Sequence, residues 1–583
     1  MARSSLTPLS RTGRGAISAT LVFLLVGCVG SGTVPSAPAA PESSAPARTG
    51  PTRITAVVTG NPPVLYNKLA DPAIPGVGAV EALVNVGLSI QDHTATARPR
   101  LAEALPTLEN GLWTVTPDGR METTWRIRPG ARWHDGAPFT ADDLAFTMQV
   151  VRDPELPQFG DPGLRAIADL RVVDERTALV SWSRPFIYAD QIFGTVAMPM
   201  PRHLLESAYT ENKATFVDQP YWSTSFVGNG PFRVKEWVAG GDLHLEAFDG
   251  YVLGRPKIDE IEIRIILDLN TVMSNVLADQ IDVALGRHIS PEQGVLLRQQ
   301  WQGGKVETGA IRLALNVWPQ LVNARPAIVS DLRFRRALYS ALDRHTMAEV
   351  IEGGLGYVAD GWLSPTVPEY AEAARSFVRY EYDPARARQE IQALGYTAGP
   401  DGMWRDTAGG PLAIEVVTLG QLEINNRTAL TVADSWQRVG VTVEPVMIPP
   451  QRAADPAYRS SFPGFQVLRY PSDVTAGAGA FHSLSARLPE NNFIISRGPG
   501  GGINWSRYAN PEVDGLIERF YETVPHRERY QLVSQILHVV TDELAVMPLF
   551  WDPSLGLVAN RVQNVPPIGD AVPWNVEEWQ VAR

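Results

Sequence analysis

Cysteine is all but missing from this sequence: of 583 residues one is Cys, at position 28. An intrachain disulfide, a thiolate metal cage and a CxxC redox pair are excluded, and any thiol chemistry falls on Cys28. Positive charge is also short. Lys+Arg 51 against Asp+Glu 63 leaves a net charge of −12, the wrong sign for a chain that grips nucleic acid through its phosphates. No uninterrupted apolar stretch reaches the roughly 18 residues that mark a membrane-spanning helix. There is no HExxH, no GxSxG elbow and no GxxxxGK[ST] loop, and the nine His are scattered rather than grouped at metal-ligand spacing. What remains is globular usage, 44% hydrophobic and 20% charged with Gly 49 and Pro 47, in a chain long enough for about four units of roughly 150 residues.

The amino terminus reads as an address. Arg3, Arg11 and Arg14 precede an apolar run over residues 16–27, too short to span a bilayer and suited to the core of a signal peptide. It ends in Leu25-Val26-Gly27-Cys28, which resembles the bacterial lipobox, with the Cys28 thiol as the atom that takes the diacylglycerol. Two acyl chains, at about 0.8 kcal/mol per buried methylene, anchor stably where one is marginal. Residues 28–52 are mostly Gly, Ser, Thr, Ala and Pro, a composition that does not offset its own ordering entropy, and they are expected to be a tether.

Beyond it, residues 54–58 are β-branched and run into Gly60-Asn61-Pro62-Pro63, the pattern of a buried strand and turn. Residues 79–90 carry Val80, Leu83, Val84 and Leu88 near helical spacing. Residues 123–128 alternate as a strand that Pro129-Gly130 is expected to fold back on residues 131–133 as a hairpin. Thr140 then stands three residues before Asp143, a capping box opening a helix.

The block Thr124-Trp125-Arg126-Ile127-Arg128-Pro129-Gly130-Ala131-Arg132-Trp133-His134-Asp135-Gly136-Ala137-Pro138-Phe139-Thr140-Ala141-Asp142-Asp143 closely resembles the hallmark segment of extracellular solute-binding proteins of the peptide/nickel type, which deliver ligands to ABC importers. Further blocks follow in that family's order. They are Val227-Gly228-Asn229-Gly230-Pro231-Phe232, Gly254-Arg255-Pro256-Lys257-Ile258-Asp259, Ala278-Asp279-Gln280-Ile281-Asp282, Asp331-Leu332-Arg333-Phe334-Arg335-Arg336-Ala337 and Tyr508-Ala509-Asn510-Pro511-Glu512-Val513-Asp514. Chemically they are scaffold: tight turns, and helix starts at Asp331 and Asn510.

The resemblance implies an α/β, periplasmic-binding-protein-like fold. Lobe I would take residues 53–85, 222–309 and 553–583, with an inserted domain at 86–221 and lobe II at 310–552, joined by hinge strands. It implies a non-enzymatic binder, a monomer without cofactor or bound metal, held at the cell envelope by its lipid. The cargo would be a peptide-like or other small organic solute and the partner an ABC permease. A nickel or metal-chelate cargo and a secreted hydrolase are the alternatives.

A cleft for such a cargo needs aromatic walls and a few directed polar groups. Candidates are Asn316, taken to close the strand that enters lobe II; Trp362, in a turn-rich segment; and Trp505 and Tyr508 beside the loop Gly498-Pro499-Gly500-Gly501-Gly502. In peptide-binding members an Asp shortly after a strand like residues 465–469 pairs with the ligand's α-amine. Here that strand runs into Tyr470-Pro471-Ser472-Asp473 at a different offset, with no Trp before it. Asp473 either pairs with a ligand ammonium or merely starts a turn, in which case the ligand lacks a free amine.

Overall fold

The computed structural model describes residues 50–583 apart from 71–73, 118, 239, 287–288, 310, 368–369, 421, 454, 456–457, 459–460, 473–480, 482–483, 485–503, 568, 570–571 and 583. Cys28, its flanking signal, the tether up to residue 49, Asp473 and the Gly498 to Gly502 loop lie outside the described residues, while Thr52, at the tether's expected end, is tied to the body by its N–H donating to Asp259 Oδ2 at 2.7 Å.

The strand Arg53–Val58 sits centrally in a seven-stranded sheet, parallel to Glu260–Ile265 on one side and Val283–Ala284 on the other. Burial on both faces explains its mostly apolar, β-branched sequence: Ile54, Ala56, Val57 and Val58 are all within 1% of full burial. Leu243–Ala247 and Phe232–Trp237 extend one edge, while Leu555–Ala559 and Gly304–Thr308 extend the other. A six-stranded sheet runs Tyr357–Val358, Met547–Asp552, Leu313–Pro319, Phe465–Pro471, Ala413–Leu419, Thr442–Ile448. Apolar clusters cover both of its faces. Leu315, Val317, Phe465 and Val467 point into one, and Trp318 and Leu468 into the other. The fold is therefore two α/β lobes of the periplasmic binding type.

A third, four-stranded antiparallel sheet is inserted in the first lobe, in the order Trp113–Val115, Met121–Arg126, Thr177–Trp182, Ile167–Asp174. It has no core of its own. Trp125 and Phe193 from the insertion join Ile54, Val58, Val80 and Trp222 of the first lobe in one apolar cluster, so the two form a single packed body.

Three local expectations change. The turn at Pro129-Gly130 forms, with Gly130 at φ 79°, but Met121–Arg126 pairs with Trp113–Val115 and Thr177–Trp182 rather than folding back on residues 131–133. Long-range pairing with two full strands outcompetes a three-residue return. The helix expected over residues 79–90 is Val77–Val84, and Ser89–Gln91 is a short strand. Asn316 does not close its strand, which continues to Pro319 with a bulge between Leu315 and Asn316. The caps, by contrast, form as read. Thr140 and Asp143 complete a capping box on Ala141–Val151, Asp331 accepts from Arg333 N, and Asn510 accepts from Glu512 N ahead of Pro511. Each contributes about 1 kcal/mol.

Candidate functional site

The chain passes between the lobes twice, and the two passages run side by side. Thr308 pairs with Leu555 in the seven-stranded sheet, and Leu313 pairs with Asp552 in the six-stranded one. Between them Gly309 N donates to Ser554 O at 2.7 Å. Two adjacent strands bend about a common line at little cost in packing, so the link is a hinge. Away from it the lobes touch again: Ile187 of the insertion packs in an apolar cluster of lobe II, Tyr521 and Val524 pack against that of lobe I, and a few polar contacts join them. Arg312 reaches Asp92 O at 3.4 Å, Ile187 N donates to Tyr521 O at 3.1 Å, Arg184 pairs with Glu522 at 3.3 Å, and Arg427 pairs with Glu292. A hollow of about 180 Å³ lies at the hinge, lined by His93, Thr94 and Thr308 from one lobe and Arg312 and Thr366 from the other.

A second hollow, of about 80 Å³, lies along the helix Val77–Val84, between it and the insertion. Ser89 to Gln91 and Val572 line this one, while His93 to Ala95 and Pro567 line the first, so the same two stretches of chain wall both. The hallmark blocks hold this helix in place. His134 N donates to Gly228 O at 2.8 Å, and the His134 ring meets Gly230 O at 3.0 Å. Gly230 N donates to Val84 O at 3.0 Å, and Asn229 Oδ1 accepts from Val86 N at 2.8 Å, closing the helix end. Gly228 is glycine because of that approach: a Cβ there would stand 1.9 Å from Val84 O. Burial lowers the His134 pKa to about 4, so the ring is neutral and structural. Asp135 is taken by His203 at 2.7 Å, and Asp143 by the cap, Arg202 N and Trp133 Nε1. Among the described residues no group of three or more His, Cys, Asp or Glu is placed to hold a metal ion.

Two side chains, one on the helix and one on the residue that ends it, line this hollow with unmet hydrogen-bonding capacity. Glu81 is 6% exposed and its Oε1 has no partner in the protein; Asn85 is fully buried and neither amide atom has one. Burial raises the Glu81 pKa to about 8, against the opposing pull of the Asn67 backbone N–H and of Lys68. Sequence reasoning passed over both residues. A signal existed: they sit four apart, on one face of a segment otherwise made of Val, Ala, Leu and Gly.

The residues singled out from the sequence lie in lobe II, and three of them meet. Trp362 Nε1 donates to Asn316 Oδ1 at 2.9 Å, and Asn316 Nδ2 donates to Ala314 O at 2.9 Å and to Ser472 Oγ at 3.0 Å. Tyr470 stacks on Trp362 at 6.2 Å and meets Trp318 edge-on at 5.7 Å. Burial pushes its phenol well above the usual range. Trp505 and Tyr508 are packed in the same apolar cluster, with Tyr508 Oη donating to Glu543 Oε2 at 2.6 Å. Ser472, the neighbour of Asp473, is the last described residue on this side. Trp318, absent from the sequence candidates, is the hub on which Trp362 and Tyr470 converge.

Two lobes on a paired-strand hinge, with hollows between and beside them, define the architecture of a two-lobed binding protein. The model of the bacterial extracellular solute-binding proteins, family 5 (middle), matches residues 96–483, and the chain belongs to that family. It is similar to the oligopeptide-binding protein AppA of Bacillus subtilis, 21% identical over 541 residues that cover 89% of this chain and 90% of AppA. Heme-binding protein A of Haemophilus influenzae is 24% identical over 486 residues, 80% of this chain and 81% of that one. Among solved structures, NikZ from Campylobacter jejuni in complex with Ni(L-His) superposes with a TM-score of 0.71 at 19% identity, covering 91% of this chain and 99% of NikZ. Members of the family are solute-binding components of ABC importers.

Proposed function

We propose that this protein is the substrate-binding lipoprotein of an ABC import system, that it takes a peptide-like or other small organic solute, and that it changes nothing in its cargo. The observation that carries the reading is the two-strand hinge at Thr308/Leu555 and Leu313/Asp552. A cargo that touches both lobes only when they are closed shifts the open-to-closed equilibrium by its differential binding energy, and a permease reads the closed shape. Lobe I with its insertion shares one core and moves as a unit; the six-stranded lobe is the other jaw. Cys28 carries the lipid, residues 28–52 are the tether, and the body works as a monomer on the outer side of the cytoplasmic membrane or in the periplasm. Among the described residues no helix is long and apolar enough to cross a membrane.

Native mass spectrometry of the protein as purified, followed by X-ray scattering with and without the solute it retains, tests the reading. A retained solute with compaction on rebinding supports it; turnover of that solute into a product removes it. Labelling with a radioactive fatty acid tests the anchor, with Cys28→Ser expected to abolish incorporation.

A further inference from the structure

The hollow beside the helix Val77–Val84 has an unusual charge inventory. Glu81 is the one ionisable group among its described lining residues. Lys68 is near enough to act on it, but its ammonium is turned away onto Phe159 O at 3.3 Å, Gly160 O at 3.4 Å and Asp161 at 3.8 Å. The neighbouring glutamines satisfy one another, Gln91 Nε2 donating to Gln191 Oε1 at 2.8 Å. What is left over is one carboxyl oxygen and both ends of the Asn85 amide, all buried and directed at the same empty space. Buried polar groups are ordinarily paired, and a buried carboxyl with no counter-charge is costly.

We infer that this hollow is a subsite for an amino group of the cargo in its ammonium form, with Glu81 as counter-charge and Asn85 as the adjoining hydrogen-bond partner. The inference rests on the solute-binding reading and deepens it. An ammonium has three donors and no acceptor, so Glu81 Oε1 and Asn85 Oδ1 are its natural partners, while Asn85 Nδ2 is left to donate to an acceptor beside the amine. A divalent cation fits worse, since these two side chains offer two oxygens where such ions take six or more.

The rival occupant, a neutral amide, is separated from an ammonium by the sign of a pH effect. Lys68 from the segment before the helix is the charged group acting on Glu81, and the Tyr66 and Tyr221 phenols are the other titratable groups that sense it. With its pKa near 8 the empty site holds a neutral carboxylic acid at pH 7. Binding an ammonium expels that proton, so affinity rises close to tenfold per pH unit from about pH 6 to about pH 8. Binding an amide needs the acid form and weakens above about pH 8.

The test uses the whole mature protein and the matched probes n-butylammonium and butyramide, read by calorimetry in buffers of different ionisation enthalpy. Expected are n-butylammonium binding that strengthens with pH, uptake of about one proton by the buffer, and loss of at least tenfold in affinity in both Glu81→Gln and Ala82→Met. The second variant fills the hollow without altering a charge, and melting curves establish that both are folded. Absence of n-butylammonium binding, a flat pH profile, or unchanged binding in folded Glu81→Gln overturns the subsite. If that variant still compacts around the retained solute, the subsite alone falls; if neither protein compacts, the function itself was misread.

Discussion

Each lobe buries a polar cluster, and the two are built to opposite specifications. In the six-stranded lobe the Asn316 amide is used up: Trp362, Ala314 and Ser472 take its oxygen and nitrogen, and the aromatic rings around it are packed against one another. In the first lobe Glu81 and Asn85 are as deeply buried, yet three of their polar atoms face empty space. A buried polar group bonded to its own protein is architecture, and one left without a partner beside a cavity points to a ligand. By that criterion Asn316 and Trp362 have their polar groups met within the lobe, and the proposed subsite rests on Glu81 and Asn85, whose polar groups are not.

The contrast makes graded predictions. Trp362→Ala has the largest effect: it removes a side chain 1% exposed and orphans Asn316 Oδ1, for an expected loss of about 3–5 kcal/mol in a denaturant titration. Asn316→Leu follows, at about 2–3 kcal/mol, since the Trp362 indole N–H loses its acceptor and Ser472 loses a donor. A small effect of either change on stability, with a large one on solute affinity, would return these residues to the binding site.

Glu81→Gln is expected to behave the other way, leaving the fold intact and altering its pH response. The folded protein keeps the Glu81 proton up to about pH 8, whereas the unfolded chain releases it near 4.5. This group's contribution is therefore full below about pH 4.5 and declines by up to about 1.4 kcal/mol per unit as pH rises through that window. Denaturation at about pH 5.5 and about pH 7.5 should give a steeper fall for the native protein than for the variant. The smallest effect belongs to the exposed pair Arg427–Glu292 between the lobes. Arg427→Ala should change stability by under about 1 kcal/mol, and its mark is a shift toward the open form that added salt reproduces in the native protein.

The fold was legible wherever sequence dictates local geometry. Thr140, Asp331 and Asn510 cap helices because a side-chain oxygen three or fewer residues ahead of a free N–H satisfies it wherever the chain goes next. Residues 54–58 read as a buried strand because four of the five are apolar and three of those are β-branched. Long-range partners were not legible. Nothing within residues 121–133 says that Thr177–Trp182 will displace the expected hairpin, and nothing near Gly228 says that the glycine is there to admit Val84 O. The proposed subsite was hidden for a similar reason. Aromatic residues attract notice as binding walls, yet Trp362 and Tyr508 spend their polar ends on Asn316 and Glu543, contacts 46 and 35 residues distant in the chain. Glu81 and Asn85 become informative only once the partners they lack are known.

The most direct test of a hinged clamp is small-angle X-ray scattering of the folded body, residues 51–583, titrated with the solute that co-purifies with it. The account predicts a smaller radius of gyration at saturation, reached at one solute per protein. An unchanged radius with the solute demonstrably bound would contradict it.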